Sequence, residues 1–127
     1  MSNLTILGLV ALDGAIGASF RYIITMQAIQ LFGHEFPYGT LFVNIIGSCI
    51  MGELVAAFSS TLLASDTWRP LIAIGFLGAL TTFSSFSMDS VLLIEQQQYT
   101  KAFVNTFLNI SVSISMCYFS FYLVSKF

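Results

Sequence analysis

The chain has 127 residues, of which 57% are hydrophobic and only 8% are charged. A soluble domain carries about 25% charged residues because its surface faces water, so most of this chain's surface must face an apolar medium. Only four Lys and Arg residues are present, and the net charge is −2, which excludes a basic patch for nucleic acid. The length allows a single domain over residues 1–127. We expect this domain to lie in a membrane, in contact with lipid.

Four stretches are apolar over the length of about 20 residues that a membrane helix requires. They run from about Leu4 to Leu31, Gly39 to Leu63, Leu71 to Ile94 and Thr100 to Val124. Polar segments at 32–37, 64–67 and 95–98 connect them, and Trp68 is typical of a membrane interface. Because the connections are short, each helix is predicted to run antiparallel to the one before it. The predicted fold class is an all-α membrane protein with four transmembrane helices.

The basic residues do not favour either orientation in the membrane. Cytoplasmic loops normally carry the excess of Lys and Arg. Here Arg69 and Lys126 fall on the side of the termini, whereas Arg21 and Lys101 fall towards the other side. We therefore expect the chain to insert both ways and to pair as an antiparallel homodimer. The alternative is that Arg21 lies too deep in the membrane to count, so that a weak bias remains.

The third stretch carries glycines and hydroxyls where a membrane helix is normally uniformly apolar. The segment 75–87 reads Gly75-Phe76-Leu77-Gly78-Ala79-Leu80-Thr81-Thr82-Phe83-Ser84-Ser85-Phe86-Ser87. Gly frees the backbone, and hydroxyls satisfy the groups that a break releases, so a break at mid-membrane is predicted. Free carbonyls at such a break coordinate cations and half-helix N-termini attract anions, so the residues alone predict an ion site of undecided sign. The alternative is a continuous helix whose hydroxyls bond back to their own turn.

Several other polar or aromatic residues in the stretches each allow two interpretations. Asn44 offers two N–H donors to an anion, or it makes an interhelical hydrogen bond. The edges of the Phe83 and Phe86 rings attract an anion, or these rings only pack. Arg21 places positive charge at a pore mouth, or it snorkels to the interface. The fourth stretch carries a polar stripe that is either a row of donors or a helix contact, formed by Asn105, Asn109 and Ser113.

Two glycines and two acidic residues in the apolar stretches also need an interpretation. Gly14 and Gly17 are predicted to form a smooth face for close helix contact. Asp13 and Glu53 are acidic in spans where charge is expensive. An anion path lined by Asp13 and Glu53 would be disfavoured unless they are protonated, paired or set aside from the path.

Three motifs resemble those of the small fluoride channels called Fluc or CrcB, over essentially the whole chain. They are Gly14-x-x-Gly17-x-x-x-Arg21, Gly39-Thr40-Leu41-x-x-Asn44-x-x-Gly47, and Gly75-Phe76-x-Gly78-x-x-Thr81-Thr82-Phe83-Ser84-x-Phe86-Ser87. The third motif is long and highly specific, whereas the first alone would be weak. The resemblance implies a multi-pass protein of the inner (plasma) membrane that passes fluoride down its gradient, without a catalytic residue.

The resemblance also implies a dual-topology homodimer with two pores and specific site residues. The backbone carbonyls of Gly78 and Thr81 from both chains would hold a structural Na⁺ at the dimer centre. The fluoride path would be lined by Arg21, Asn44, Phe83, Ser84, Phe86, Asn109 and Ser113. The sequence departs from the family at Ser85, at Asp89, where a Glu is common, and at Asn109, which replaces a smaller or different polar residue.

Two other function classes compete with a fluoride channel. A small proton-coupled multidrug exporter also has four helices, and Asp13 or Glu53 would supply its membrane carboxylate. That reading leaves the long segment 75–87 unexplained. An assembly or scaffold subunit would explain the packing glycines but not the polar residues on three helices.

Overall fold

The computed structural model describes residues 2–59 and 69–126, and within these ranges all regular structure is helical. The helices are α1 (Asn3–Phe32), α2 (Tyr38–Ser59), α3 (π-helical turns over Arg69–Leu77, then an α-helical turn over Gly78–Leu80), α4 (Phe83–Glu95) and α5 (Tyr99–Ser125). Helices α3 and α4 together form the third span. Among the described residues, four spans are long and apolar enough to cross a membrane. The predicted all-α membrane fold is confirmed.

The observed helix ends lie close to the predicted ones where the structure describes them. Helix α1 begins after Ser2, whose hydroxyl accepts a hydrogen bond from the Thr5 amide at 3.2 Å, as in a helix N-cap. It ends at Gly33, whose φ of 85° is readily adopted only by glycine. The predicted end of the second stretch at Leu63, the loop at 64–67 and the interface residue Trp68 lie outside the described residues.

Helix α1 packs closely against α3 through its glycines. A Cβ atom at Gly17 would collide with the backbone carbonyl oxygen of Phe76, and one at Gly14 would lie 3.6 Å from the carbonyl oxygen of Gly75. The Phe20 and Phe76 rings meet edge to face beside this contact, with centroids 5.8 Å apart. The predicted close helix contact at the α1 glycines is therefore confirmed.

Helix α2 lies at the centre of the chain and packs along α5. A Cβ at Gly52 would collide with the carbonyl oxygen of Cys117, so the two helix backbones approach closely there. The Ser120 hydroxyl donates to the Cys49 carbonyl at 2.7 Å across the same contact. This close packing brings the polar faces of α2 and α5 together.

The third span is interrupted at two consecutive threonines. Thr81 has φ −83° and ψ 157°, and Thr82 has φ −155° and ψ 119°, so both are extended between α3 and α4. These are ordinary values for non-glycine residues, so the break needs no backbone strain. The predicted interruption of the third helix within 75–87 is confirmed, and it lies at Thr81 and Thr82.

Candidate functional site

The side chain of Asn44 on α2 binds the backbone at the break. Its Oδ1 accepts a hydrogen bond from the Thr82 amide at 2.8 Å, and its Nδ2 donates to the Thr82 carbonyl at 3.2 Å. Nδ2 also donates to Oδ1 of Asn109 on α5 at 2.9 Å. Of the two interpretations of Asn44, the interhelical hydrogen bond is the one the structure contains. Asn44 therefore replaces the acceptor that a continuous helix would provide for the Thr82 amide, and it adds a donor to the Thr82 carbonyl.

Two backbone amides at the break donate to side chains instead of to the carbonyls that they would bond in a continuous helix. In a continuous helix the Thr82 amide would donate to Gly78, but it donates to Asn44 instead. The Ser85 amide would donate to Thr81, but it donates to the Thr82 hydroxyl at 3.1 Å. The diverted amides thus release the carbonyls of Gly78 and Thr81, and Gly78 is exposed on the surface of the single chain.

Helix α4 begins in the middle of the third span, so a helix N-terminus lies within the apolar region. Thr82 is its N-cap, and the Thr82 and Ser84 hydroxyls lie 3.2 Å apart. The backbone N–H groups of a first helical turn have no partner inside the helix, and they carry a partial positive charge. This end of α4 therefore provides N–H and O–H donors suited to an anion.

Phe83 and Phe86 frame the same helix end but differ in exposure. Phe83 is 75% exposed, whereas Phe86 is 6% exposed. Their ring centroids are 5.1 Å apart at 79°, so the edge of one ring meets the face of the other. Because ring edges are electropositive, this pair presents a favourable edge to an anion next to the first turn of α4.

A chain of hydrogen bonds, which we call the amide relay, continues from Asn44; its middle bonds, between Asn109 and Asn105, are buried, and the others are partly buried. Its members are Asn44, Asn109, Asn105 and Ser90. Asn109 donates from Nδ2 to the carbonyl and Oδ1 of Asn105 at 2.8 and 2.9 Å, and Asn105 donates to the Ser90 hydroxyl at 3.0 Å. Ser90 donates to the Phe86 carbonyl at 3.0 Å. The sequence identified the stripe on α5 but gave no signal for Ser90, which α4 brings to it in three dimensions.

Ser113 is the last residue of the polar stripe of α5, and it differs from Asn105 and Asn109 in its hydrogen bonding. It is 9% exposed, and its buried Oγ has no hydrogen-bond partner within residues 2–59 and 69–126. Buried hydroxyls are normally hydrogen-bonded. An unpartnered hydroxyl next to the relay is therefore available to a small ion or to water.

Arg21 lines an open cavity beside the break. The cavity has a volume of about 380 Å³ and is lined by Ala18, Arg21, Tyr22, Thr25, Thr40, Thr82, Ser85 and Asp89. The Arg21 side chain is half-buried, and its buried Nε has no hydrogen-bond partner in the part of the chain that the structure describes. Arg21 thus places a positive charge in a cavity that reaches the N-cap of α4.

A second cavity of about 250 Å³ leads towards the loop between α1 and α2, where it is lined by His34, Phe36 and Pro37. The two cavities share Thr25, Thr40 and Asp89. Together they form a groove from the loop at 33–37 to the break. Sequence reasoning did not identify Thr25, which is one ordinary threonine on the long helix α1.

Asp13 and Glu53 lie away from this groove. Asp13 contacts α3 at Gly75, where an added Cβ would lie 2.8 Å from the Cβ of Asp13. Glu53 is exposed on α2 and accepts a weak hydrogen bond from the Cys49 thiol at 3.8 Å. Neither acid lines the two cavities described above. Both are therefore set aside from the groove, one of the conditions under which the sequence allowed an anion path.

Comparison with known proteins identifies the family. The model of the CrcB-like protein family, Camphor Resistance (CrcB), matches residues 8–121. The chain belongs to the CrcB family. The fluoride-specific ion channel FluC of Vibrio parahaemolyticus is 52% identical over 126 residues, covering 99% of each chain. Proteins of the same name from Photobacterium profundum and Vibrio cholerae are 48% and 46% identical, covering 99% and 98% of each chain.

The family assignment confirms the resemblance found in the sequence motifs. It also agrees with the four apolar spans, since this CrcB-family chain is a multi-pass membrane protein. The exporter alternative receives no support, because the matched relatives named above are all channels. The groove, the break and the amide relay therefore belong to a member of the CrcB family.

Proposed function

We propose that this chain forms a fluoride-selective channel that passes F⁻ passively through the plasma membrane. The observation that carries the proposal is the helix N-terminus at Phe83, which opens inside an apolar span beside a polar groove. Relatives named fluoride-specific ion channel FluC match nearly the whole chain, which supports fluoride as the ion. A passive channel needs no chemical step, so no residue acts as a catalyst.

The contacts that we assign to the anion are with donors, and the Asp89 carboxylate lines the same groove as an acceptor. Arg21 attracts the anion into the groove, and the Ser84 hydroxyl and the edges of Phe83 and Phe86 replace part of its water. Ser113, whose hydroxyl has no hydrogen-bond partner among the described residues, provides a further donor on α5. Asn44 and Asn109 are not among the residues that line the two cavities, and we propose that they fix the break beside this route, because their amides bond to each other and to Thr82.

We propose that the functional unit is an antiparallel, dual-topology homodimer with two pores. Irregular backbone at membrane depth persists only where protein covers it or where it lines a cavity. In the single chain Gly78 is exposed beside the break, and Phe83 is 75% exposed. A second copy of the chain that covers this face would bury both. The balance of Arg21 and Lys101 against Arg69 and Lys126 permits the two orientations that such a dimer needs.

A Na⁺ ion at the dimer centre fits the residues at the break. The carbonyls of Gly78 and Thr81 are the two whose helical donors are diverted to Asn44 and Thr82. Unwound backbone carbonyls of this kind coordinate Na⁺ in broken membrane helices. The ion would supply positive charge that faces the negative ends of the carbonyl dipoles of both chains.

Flux measurements on liposomes test the proposed channel. The purified protein is reconstituted in vesicles loaded with fluoride, and external F⁻ is recorded with an electrode after a K⁺ ionophore is added. We expect rapid F⁻ loss without Cl⁻ loss. Absence of F⁻ efflux, or proton-driven uptake of an organic cation instead, would refute the proposed function.

A reporter fusion tests the dual topology, and ion replacement tests the Na⁺ site. A reporter fused to the C-terminus is expected to give signal from both sides of the membrane, and signal from one side only would exclude dual topology. Replacing Na⁺ with N-methylglucamine is expected to lower the temperature at which the dimer dissociates, followed by cross-linking the two chains after heating. In the Thr82→Ala variant the Ser85 amide is free to return to the Thr81 carbonyl, so more Na⁺ should be needed for the same stability.

A further inference from the structure

The amide relay has a single donor direction, set by its two ends. The Thr82 backbone N–H can only donate, so Oδ1 of Asn44 must face it and Nδ2 of Asn44 must point towards Asn109. At the other end the Phe86 carbonyl can only accept, so the Ser90 hydroxyl donates to it. The Ser90 oxygen is then left to accept from Asn105. Each asparagine in the relay is therefore held in one amide orientation.

The relay also closes on the helix from which it starts. It leaves α4 at its N-cap Thr82, crosses α2 and α5, and returns to α4 at the Phe86 carbonyl. Asn105 is 0% exposed and Asn109 is 6% exposed. In such a dry interior, rotating either amide would bring two donors or two acceptors together at both of its contacts. Hydrogen bonds aligned in one direction polarise and strengthen each other.

We propose that Asn105 is a positioning residue for the break in the third span. Through Asn109 it holds Asn44 in the orientation that takes the Thr82 amide away from the Gly78 carbonyl. Asn105 itself does not line the groove described above. The proposed role of Asn105 is to fix the backbone geometry at Thr82. This inference rests on the proposed function only in the experiment that measures fluoride flux.

The exchange rate of the Thr82 amide hydrogen tests this proposal without a transport assay. The full-length protein is labelled with ¹⁵N-threonine, placed in lipid nanodiscs, and followed in deuterated buffer. Thr81 is an internal reference, because its amide donates to the Leu77 carbonyl at 3.1 Å and lies outside the relay. Asn105→Leu keeps the side-chain size but removes both polar groups. We expect Thr82 exchange to rise about tenfold relative to Thr81. An unchanged ratio would overturn the proposal.

Two further variants separate the relay from general loosening. Ser90→Ala removes the acceptor of Asn105 and should raise the Thr82 to Thr81 ratio in the same direction; it decides the question if Asn105→Leu does not fold. Ser120→Ala removes a buried hydrogen bond between α2 and α5 that is not part of the relay. We expect this control to leave the ratio unchanged, and an equal rise would mean that any weakening of the α2–α5 contact has the same effect.

Fluoride efflux from liposomes distinguishes failure of this inference from failure of the proposed function. If wild-type protein conducts F⁻ and Asn105→Leu leaves the exchange ratio unaltered, the relay proposal is wrong and the channel stands. If Thr82 responds to Asn105→Leu but wild-type protein carries no F⁻, the positioning role stands and the channel is wrong. When both hold, we expect efflux to fall in the order of the exchange ratios of Asn105→Leu and Ser90→Ala.

Discussion

Asn44 holds both polar groups of one residue, the amide and the carbonyl of Thr82, at 2.8 and 3.2 Å. The contact joins residues 38 positions apart, so it forms only when α2 and the third span are packed. It gives the Thr82 amide, which has lost its helical acceptor, a partner inside an apolar span, and it adds a second donor to the Thr82 carbonyl. The break is therefore a tertiary feature, held by a side chain of another helix.

Replacing Asn44 should destabilise the fold and impair flux together. In Asn44→Leu the Thr82 amide and Asn109 lose their partners, and an unsatisfied buried polar group costs about 1–3 kcal/mol. We expect a lower melting temperature in detergent and reduced F⁻ efflux. Ser48→Ala, one turn further along α2, is the control and should change neither quantity by a comparable amount. Wild-type stability in Asn44→Leu would contradict the bridging role.

The glycines of α1 should respond in opposite ways to alanine. In Gly17→Ala the new Cβ meets the backbone oxygen of Phe76, so α1 and α3 must move apart at a cost of about 1–3 kcal/mol. Gly8 on the same helix has nothing within 4 Å of an added Cβ. Gly8→Ala should therefore be neutral or stabilising by up to about 1 kcal/mol, through helix propensity. Thermal unfolding of the two variants measures both effects, and equal melting temperatures would refute the predicted contact.

Phe83 should matter for flux but not for the stability of the single chain. It is 75% exposed, so Phe83→Ile removes little buried surface. Loss of its ring edge should reduce F⁻ efflux about tenfold, the scale of one aromatic edge interaction. Phe103→Ile is a matched control, because Phe103 is 69% exposed on α5 and contacts Phe107 away from the groove. Equal efflux from the two variants would remove Phe83 from the path.

Two serines on α5 should separate stability from transport. Ser113 has a buried hydroxyl without a partner among the residues that the structure describes, so Ser113→Ala should leave the free energy of unfolding unchanged or raise it slightly while lowering F⁻ efflux. Ser120 donates to the carbonyls of Cys49 and Cys117 at 2.7 and 3.1 Å. Ser120→Ala should therefore lower the free energy of unfolding by about 1 kcal/mol and leave efflux nearly unchanged. The same ranking in both assays would mean that Ser113 serves packing alone.

Much of the fold could be predicted because membrane helices follow from local composition. Lengths of apolar sequence predicted four spans, and the ends of α1 and α5 agree with Leu4–Leu31 and Thr100–Val124 to within one residue. The interruption was predicted from Gly78 and the adjacent hydroxyl residues, since such residues are rare where lipid surrounds a helix. The glycine contact of α1 followed from the spacing of Gly14 and Gly17 on one helical face.

The partners of the polar residues could not be predicted in the same way. Asn44 was expected either to face an anion or to bond to another helix, and only packing decided that its amide bonds to Thr82 and Asn109. Ser90 gave no signal, since one serine in a span has many uses. Asp13 and Glu53 were expected to disfavour an anion path, but neither lines the groove. This could not be predicted, because their position relative to the groove depends on how the helices are rotated about their axes.

The sequence by itself determined that this is a membrane protein with four spans and a broken third helix, and its motifs predicted the CrcB family. These properties depend on hydrophobic length and on residues that a continuous helix in lipid does not tolerate. Only the tertiary structure decided that the Thr82 amide donates to Asn44, and that the carbonyls of Gly78 and Thr81 lose their helical donors. Hydrogen bonds between residues such as Asn44, Asn109 and Thr82 join distant parts of the chain, and their geometry exists only after the helices have packed.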